Sequence, residues 1–364
     1  TYDICSSGTK LSYVPTLAVR PSEMRGLEYL PNATKNRMTP CVLLAPWSSA
    51  HSIGSAVERL ELAYPHGSYF LDIDRDYHFS NPDAPAQMEL RQLCDSANSY
   101  ESWCEFIAEH PRVMPCLQLQ NQTEANIRTQ INRYRDLDRS FALRIFRNRL
   151  AENLNEAVAA LAAEGAADFT VILEGGWAQD ALQLPAWYTG LIGNALANIN
   201  ADVPIVASCT TMPKAFTPYI GRSEVPFGNR LLVNQVQAFT NDRRVIYGDW
   251  ASTRPREQRG GGGIEVPPRI DYPLNDAWWI YRNPGENWTF ITAAQRLVDD
   301  EDVWDGNTGQ WGEQMIAETA VSQHLGIDTL QKNVSVRVNL HLHRQAFYGT
   351  DLPPMEELED DWED

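Results

Sequence analysis

Eight short apolar runs, each parted from the next by a stretch of helical character, constrain this chain more than any other feature. They are Ser12 to Arg20 (SYVPTLAVR), Pro40 to Pro46 (PCVLLAP), Ser68 to Asp74 (SYFLDID) and Arg112 to Gln120, which contains VMPCLQL. Ser140 to Phe146 (SFALRIF), Phe169 to Glu174 (FTVILE), Pro204 to Ser208 (PIVAS) and Val245 to Asp249 complete the set. The runs are near-continuously apolar rather than alternating, which is the pattern of strands buried on both faces of a parallel sheet.

Helical segments fill the gaps. PSEMRGLEYL opens on a Pro-Ser-Glu start, and others cover Ile53 to Leu62, about Met88 to His110, and TEANIRTQINRY. An alanine-rich segment runs from Leu150 to Gly165, one ends near Asn200, and one spans Asn229 to Thr240. Eightfold strand–helix alternation predicts a closed (β/α)8 barrel, the TIM-type fold of the α/β class. A doubly wound open sheet is the alternative. It breaks the count near six strands and opens on a glycine-rich first turn, and this sequence has neither feature.

At 364 residues the chain is long for one domain, but barrels reach this size as a unit. Beyond the eighth run, Arg269 to Arg282 (RIDYPLNDAWWIYR) reads as a hairpin turning near Asn275. Helices are expected at Thr289–Val298, Gly312–His324 and Asn333–Phe347. This region holds too little apolar sequence for a core of its own. The expectation is one barrel domain over residues 1–350. Its C-terminal extension, about 264–350, covers the barrel mouth and supplies the last helix, and an acidic tail follows at 351–364. The stretch from Arg75 to His110 is a second decoration.

The formal charge of −18 opposes broad nucleic-acid binding, because phosphates are repelled. No apolar run approaches the roughly 18 residues of a membrane span, so no membrane association and a cytoplasmic setting are expected. The six cysteines lack CxxC spacing, and Cys41, Cys116 and Cys209 lie in or beside apolar runs as small buried hydrophobes.

Residues at the C-terminal ends of barrel strands face one shared mouth. In order they are Arg20 with Glu23, Trp47, Asp72 with Asp74, Gln118 with Gln120, Arg144, Glu174, Ser208, and Asp249 with Trp250. Arg20, Asp72, Arg144, Glu174 and Asp249 form a mixed-charge set that suits acid–base work or oxygen ligation of a divalent cation. The other reading is internal salt bridges that fix barrel register. Asp72 and Asp74 share a strand face and so sit within metal-sharing distance, unless Asp74 caps the following turn. An enzymatic site requires the five charged ends to converge.

After Asp249, a loop carries Arg254, Arg256 and Arg259 into four glycines, Gly260 to Gly263. The loop after the eighth strand is a frequent phosphate site in barrels, so the arginines are either an anion clamp or a solvated loop. His341 and His343 diverge by roughly 200° on a helix and cannot share a metal there. With Arg337 and Arg344, His341 forms a basic helix face. HExxH, P-loop, GxSxG, GxGxxG and zinc-finger spacings are all absent.

YVPTLAVRPSEMRGLEYL, FLDID, GDW, WWIYR and NLHLHRQAFY occur in an order that resembles the phage beta protein family, named from a T4-like phage protein. The resemblance spans about Tyr13 to Tyr348. It implies phage or anti-phage biology, with recurring features at Arg20, Glu23, Asp72, Asp249 and Arg282. Two function classes follow. In the first, the barrel acts on a phosphate-bearing ligand such as a nucleotide or nucleic-acid end. Asp72, Arg144, Glu174 and Asp249 are then the catalytic candidates, and Arg20, Glu23, Gln118, Trp250, Arg254, Arg256 and Arg282 bind the ligand. In the second, a non-catalytic protein of a phage or defence system binds a partner through Trp47, Trp177, Trp250, Trp278, Trp279 and an acidic exterior.

Overall fold

The computed structural model describes residues 11–149, 153–240, 243–257, 266–285, 287–322 and 324–350. Arg259, the four glycines, the start of the alanine-rich helix and the acidic tail lie outside them. The first half of the barrel comprises β1 (Tyr13–Ala18), α1 (Pro21–Glu28), a short α2 (Asn32–Lys35), β2 (Cys41–Leu44), α3 (Gly54–Ala63) and β3 (Tyr69–Ile73). Then come α4 (Pro85–Leu93), α5 (Ala97–Glu109), β4 (Val113–Pro115), α6 (Glu124–Asp136) and β5 (Phe141–Phe146). The second half has α7 (Leu154–Ala163), β6 (Phe169–Trp177), α8 (Pro185–Gly193) and β7 (Ile205–Thr210). An inserted β8 (Gly221–Pro226), α9 (Asn229–Phe239) and β9 (Val245–Asp249) follow. The chain ends with β10 (Arg269–Pro273), β11 (Ala277–Arg282), α10 (Phe290–Val298), α11 (Trp311–Val321) and α12 (Leu330–Ala346).

All eight apolar runs are strands of one parallel sheet, ordered β4-β3-β2-β1-β9-β7-β6-β5. The sheet closes through a bridge between Cys116 and Ala142, with the Leu117 N–H donating to the Ala142 carbonyl at 2.8 Å. The fold is therefore a (β/α)8 barrel, closed by its weakest seam at β4 and β5.

Strand periodicity sorts the side chains. Val14, Cys41, Phe70, Met114, Cys116, Ala142, Ile172, Val206 and Ile246 fill the barrel interior as one apolar cluster. Their strand neighbours, among them Leu17, Leu44, Leu71, Leu143, Leu173 and Ala207, point outward and pack against the helices. The described cysteines are free thiols.

Two helical expectations change. The segment from Met88 to His110 is two helices, because the Asp95 side chain accepts from the Ala97 N–H and the chain turns there. The helix expected to end near Asn200 stops at Gly193 and gives way to turns.

The hairpin of β10 and β11 is antiparallel, and β8 from the loop after β7 adds a third strand that sequence reading left unassigned. One face of this small sheet packs with α10, α11 and α12 through Ile270, Tyr272, Tyr281, Phe290, Leu297, Ile316 and Val336. Its other face carries Trp278, Ile280 and Val225, which pack with Met212 and Phe227. Helix α12 runs along α1. An added Cβ at Gly26 would lie 2.7 Å from the Ser335 carbonyl, so the close approach depends on glycine there.

Candidate functional site at the barrel mouth

Directly above the apolar layer, the barrel interior becomes polar. Arg144 on β5 places one guanidinium nitrogen 3.2 Å from Asp72 on β3 and another 3.1 Å from Glu174 on β6. Gln118 donates to Asp72 at 2.8 Å and accepts from Arg75 at 2.6 Å. Ser208 donates to Glu174 at 3.3 Å, and the Trp250 indole N–H donates to it at 2.8 Å. All five of Asp72, Gln118, Arg144, Glu174 and Trp250 are buried. Burial opposes the Arg144 charge, but neighbouring Cys41, Glu174 and Asp72 hold its pKa above the usual value. The guanidinium is therefore a fixed cation flanked by two carboxylates.

Trp250 packs on Ala18 and Leu43 and fills the mouth on the β1 and β2 side. The opposite side stays open as a cavity of about 750 Å³ lined by Asp72, Asp74, Arg75, Gln118, Arg144 and Arg149, with Phe79, Cys94, Phe146 and Asn153 in its walls. A second cavity, about 720 Å³, opens at the rim of the small sheet between Arg222, Trp288 and the acidic run Asp299 to Asp302.

Asp249 does not join this group. Ile246 faces the interior, so on a strand Gly248 and Trp250 share its side and Asp249 points outward. There its carboxylate accepts from the Tyr13 hydroxyl at 2.8 Å, the Tyr247 hydroxyl at 2.8 Å and the Ala251 N–H at 2.9 Å, and lies 2.6 Å from His341 Nε2 on α12. Burial alone would raise its pKa, but His341, the Ala251 N–H and Tyr13 hold the carboxyl below the usual range. It is a fully satisfied link between β1, β9 and α12.

Arg20 also lies apart from the cavity, 3.5 Å from Glu23, while Glu23 accepts from the Ala18 N–H and the Thr253 hydroxyl. Of the five charged strand ends, Asp72, Arg144 and Glu174 converge, whereas Arg20 and Asp249 do not.

The loop after β9 crosses the mouth. Arg256 reaches Asp74 beyond β3 at 2.5 Å, and the Arg254 carbonyl accepts from Arg20 at 3.4 Å. Ala251 and Ser252, at φ 46° and 61°, turn the chain, and Ser252 accepts from the Trp278 indole N–H at 2.7 Å. Non-glycine residues at such angles persist only where their surroundings hold them. Asp74 is thus an ion-pair partner, and among the described residues no three His, Cys, Asp or Glu side chains are grouped to hold a metal.

Arg282 lies on β11 under the small sheet, donating to the Tyr219 carbonyl at 3.3 Å. His341 and His343 are on one helix with separate partners, Asp249 and Thr34, and the basic face extends to Arg337 and Arg344, which pair with Asp271 and Asp305. Sequence reading missed Arg75 and Arg149 as cavity residues. Arg75 directly follows Asp74, a signal that was available, whereas Arg149 lies past the end of β5 where no pattern marks it.

Comparison with known proteins adds the family. A family model described as Beta protein matches residues 13–347. Protein beta of Enterobacteria phage P4 is 25% identical over 343 residues, covering 92% of each chain, so the phage relative found is of P4 rather than T4-like. Among solved structures, a D-psicose 3-epimerase from Clostridium cellulolyticum H10, crystallised with D-tagatose, aligns over 70% of this chain and 87% of its own. The TM-score is 0.34 and the identity 9%. The barrel assignment rests on the strand pairing above, not on that likeness. No described helix is long and apolar enough to cross a membrane.

Proposed function

This chain belongs to the beta protein family, and from that premise we propose that it takes up a phosphate-bearing ligand, a nucleotide or nucleic-acid end, in the cavity over β3, β4 and β5. The observation that carries the reading is the make-up of that cavity. About 750 Å³ suits a nucleotide-sized molecule, and three arginines line it in an otherwise acidic protein. Arg75 and Arg149 are the rim cations for phosphate, since guanidinium binds its oxygens bidentately. Arg144 and Gln118 orient Asp72 on the cavity wall, and Glu174 completes the charge balance behind them. Catalysis is not part of the proposal, because Arg20 and Asp249 lie outside the cavity. A divalent cation is not part of the proposal, because Arg144 and Arg256 occupy Asp72 and Asp74.

The alternative, partner binding through a tryptophan-rich mouth, has less support. Trp250 and Trp278 are buried with their indole N–H groups bonded to Glu174 and Ser252, and the Trp177 N–H is bonded to the Met212 carbonyl.

The test is calorimetric titration with nucleoside mono-, di- and triphosphates and a 5′-phosphorylated dinucleotide. An Arg75→Ala/Arg149→Ala variant should lose affinity tenfold or more, on the order of 1.5–3 kcal/mol for charge-assisted hydrogen bonds. Unchanged affinity in that variant sinks the proposal.

A further inference from the structure

The small sheet carries a concentration of positive charge that the cavity reading does not use. Arg269 and Asp271 lie on one face of β10, and Arg282 stands directly opposite Arg269 on β11, so all three project from the same side of the hairpin. That side also bears Trp278, whose bond to Ser252 faces it toward the loop after β9. Arg337 of α12 enters the same space and pairs with Asp271. Arg269, Arg282 and Arg337 are 6%, 5% and 5% exposed, and Asp271 is 0% exposed.

Their charges do not balance. The Asp271 carboxylate receives Arg269 at 2.9 Å, Arg337, and the Asn333 amide at 2.9 Å, so its charge is already engaged by two guanidiniums. Arg282 has the Tyr219 carbonyl and forms no ion pair with a described residue. Its Nε and that of Arg337 are buried without a partner among the described residues. Arg254 adds to the field here: burial first, and then Arg269 and Arg254 against the pull of Asp271, bring Arg337 down to about 10. Three buried guanidiniums thus stand against one carboxylate, which only Arg269 and Arg337 contact. Buried cations without counter-charge are costly, and guanidinium groups in that state are matched by a planar or tetrahedral oxyanion.

We propose that Arg269, Arg282 and Arg337 form an anion site for a phosphate group beneath the small sheet, separate from the barrel cavity. In the loop after β9, the Arg254 carbonyl accepts from Arg20, while Arg256 pairs with Asp74, which lines the cavity. The site stands whether or not the cavity binds a nucleotide.

The experiment titrates inorganic phosphate and pyrophosphate into the full chain, read by thermal shift and by ³¹P line broadening. Phosphate should raise the melting temperature. Arg282→Gln should weaken binding tenfold or more, and Arg282→Lys, which keeps charge but not the fork, should fall between. Arg75→Ala/Arg149→Ala, which removes the phosphate cations proposed for the cavity, should still show the Arg282-dependent part of the thermal shift with inorganic phosphate. In phosphate-free buffer Arg282→Gln should melt no lower than the unsubstituted chain, because it removes an unbalanced charge. The proposal is overturned by the absence of a phosphate response, by equal binding in Arg282→Gln, or by loss of the whole response in Arg75→Ala/Arg149→Ala. A large phosphate-independent fall in the melting temperature of Arg282→Gln also overturns it, since Arg282 would then be a satisfied structural group.

Discussion

His343 ties a single buried ring to the acid sensitivity of the fold. Burial first, and then the Arg344 charge, push its pKa down to about 3, and Thr34 supplies its one partner at 2.9 Å. The unfolded chain protonates this histidine below about pH 6.5, while the folded chain keeps it neutral. Stability from His343 is therefore intact above pH 6.5 and declines as pH falls toward 3. Urea titrations at pH 7 and pH 5 should show this loss, and His343→Gln should reduce it. Asp249, with its depressed pKa, adds a second loss only below the ordinary carboxylate range. At this scale the sequence was legible where strand ends point inward. Asp72, Arg144 and Glu174 each fall on the parity of the inward apolar residue two positions before them (Phe70, Ala142 and Ile172). Asp249 fails the same rule, because Ile246, Gly248 and Trp250 take the inward positions. Gly248 marks the crowded side, where an added Cβ would lie 2.8 Å from Val206. Its charge drew attention to Asp249, but its parity places it among the helices.

At the scale of elements, α12 is the piece on which the others converge. Its face offers Arg337 to Asp271, His341 to Asp249 and Arg344 to Asp305, three carboxylates on three different segments. Removing one member of a buried hydrogen-bonded pair leaves the other unsatisfied, so Asp249→Asn and His341→Ala should each destabilise by about 1–3 kcal/mol. Chemical denaturation of both single variants and the double variant checks this. The double should cost clearly less than the sum of the singles, whereas strict additivity would show that the two residues act independently. The barrel strands were readable because burial on both faces enforces continuous apolar runs. Strand β8 was not, because Gly221 to Pro226 (GRSEVP) alternates exposed and half-buried residues with one buried valine and carries no run to see. Only its pairing partner β11 makes it a strand.

For the molecule as a whole, the extension is expected to unfold with the barrel, since α12 packs on α1 and also contributes Val336 and Leu340 to the small-sheet core. Far-ultraviolet and near-ultraviolet dichroism should then give coincident thermal transitions, and a separate early transition in the tryptophan-rich small sheet would contradict this. The crossing of the mouth by Arg256 to reach Asp74 could not be read from sequence, because the two lie 182 positions apart and no periodicity joins them. The closure of the barrel has a further consequence. Strand β4 is three residues long, and it meets β5 through one bridge, whereas β5 and β6 are paired over six positions. Local opening begins where backbone hydrogen bonds are fewest, and the cavity lies over this seam, with Gln118 on one side and Arg144 on the other. A molecule gripped by both residues would act as a clasp across the gap. Amide exchange along Cys116 and Ala142 would then slow when the cavity is occupied, so filling the site and closing the ring become one event.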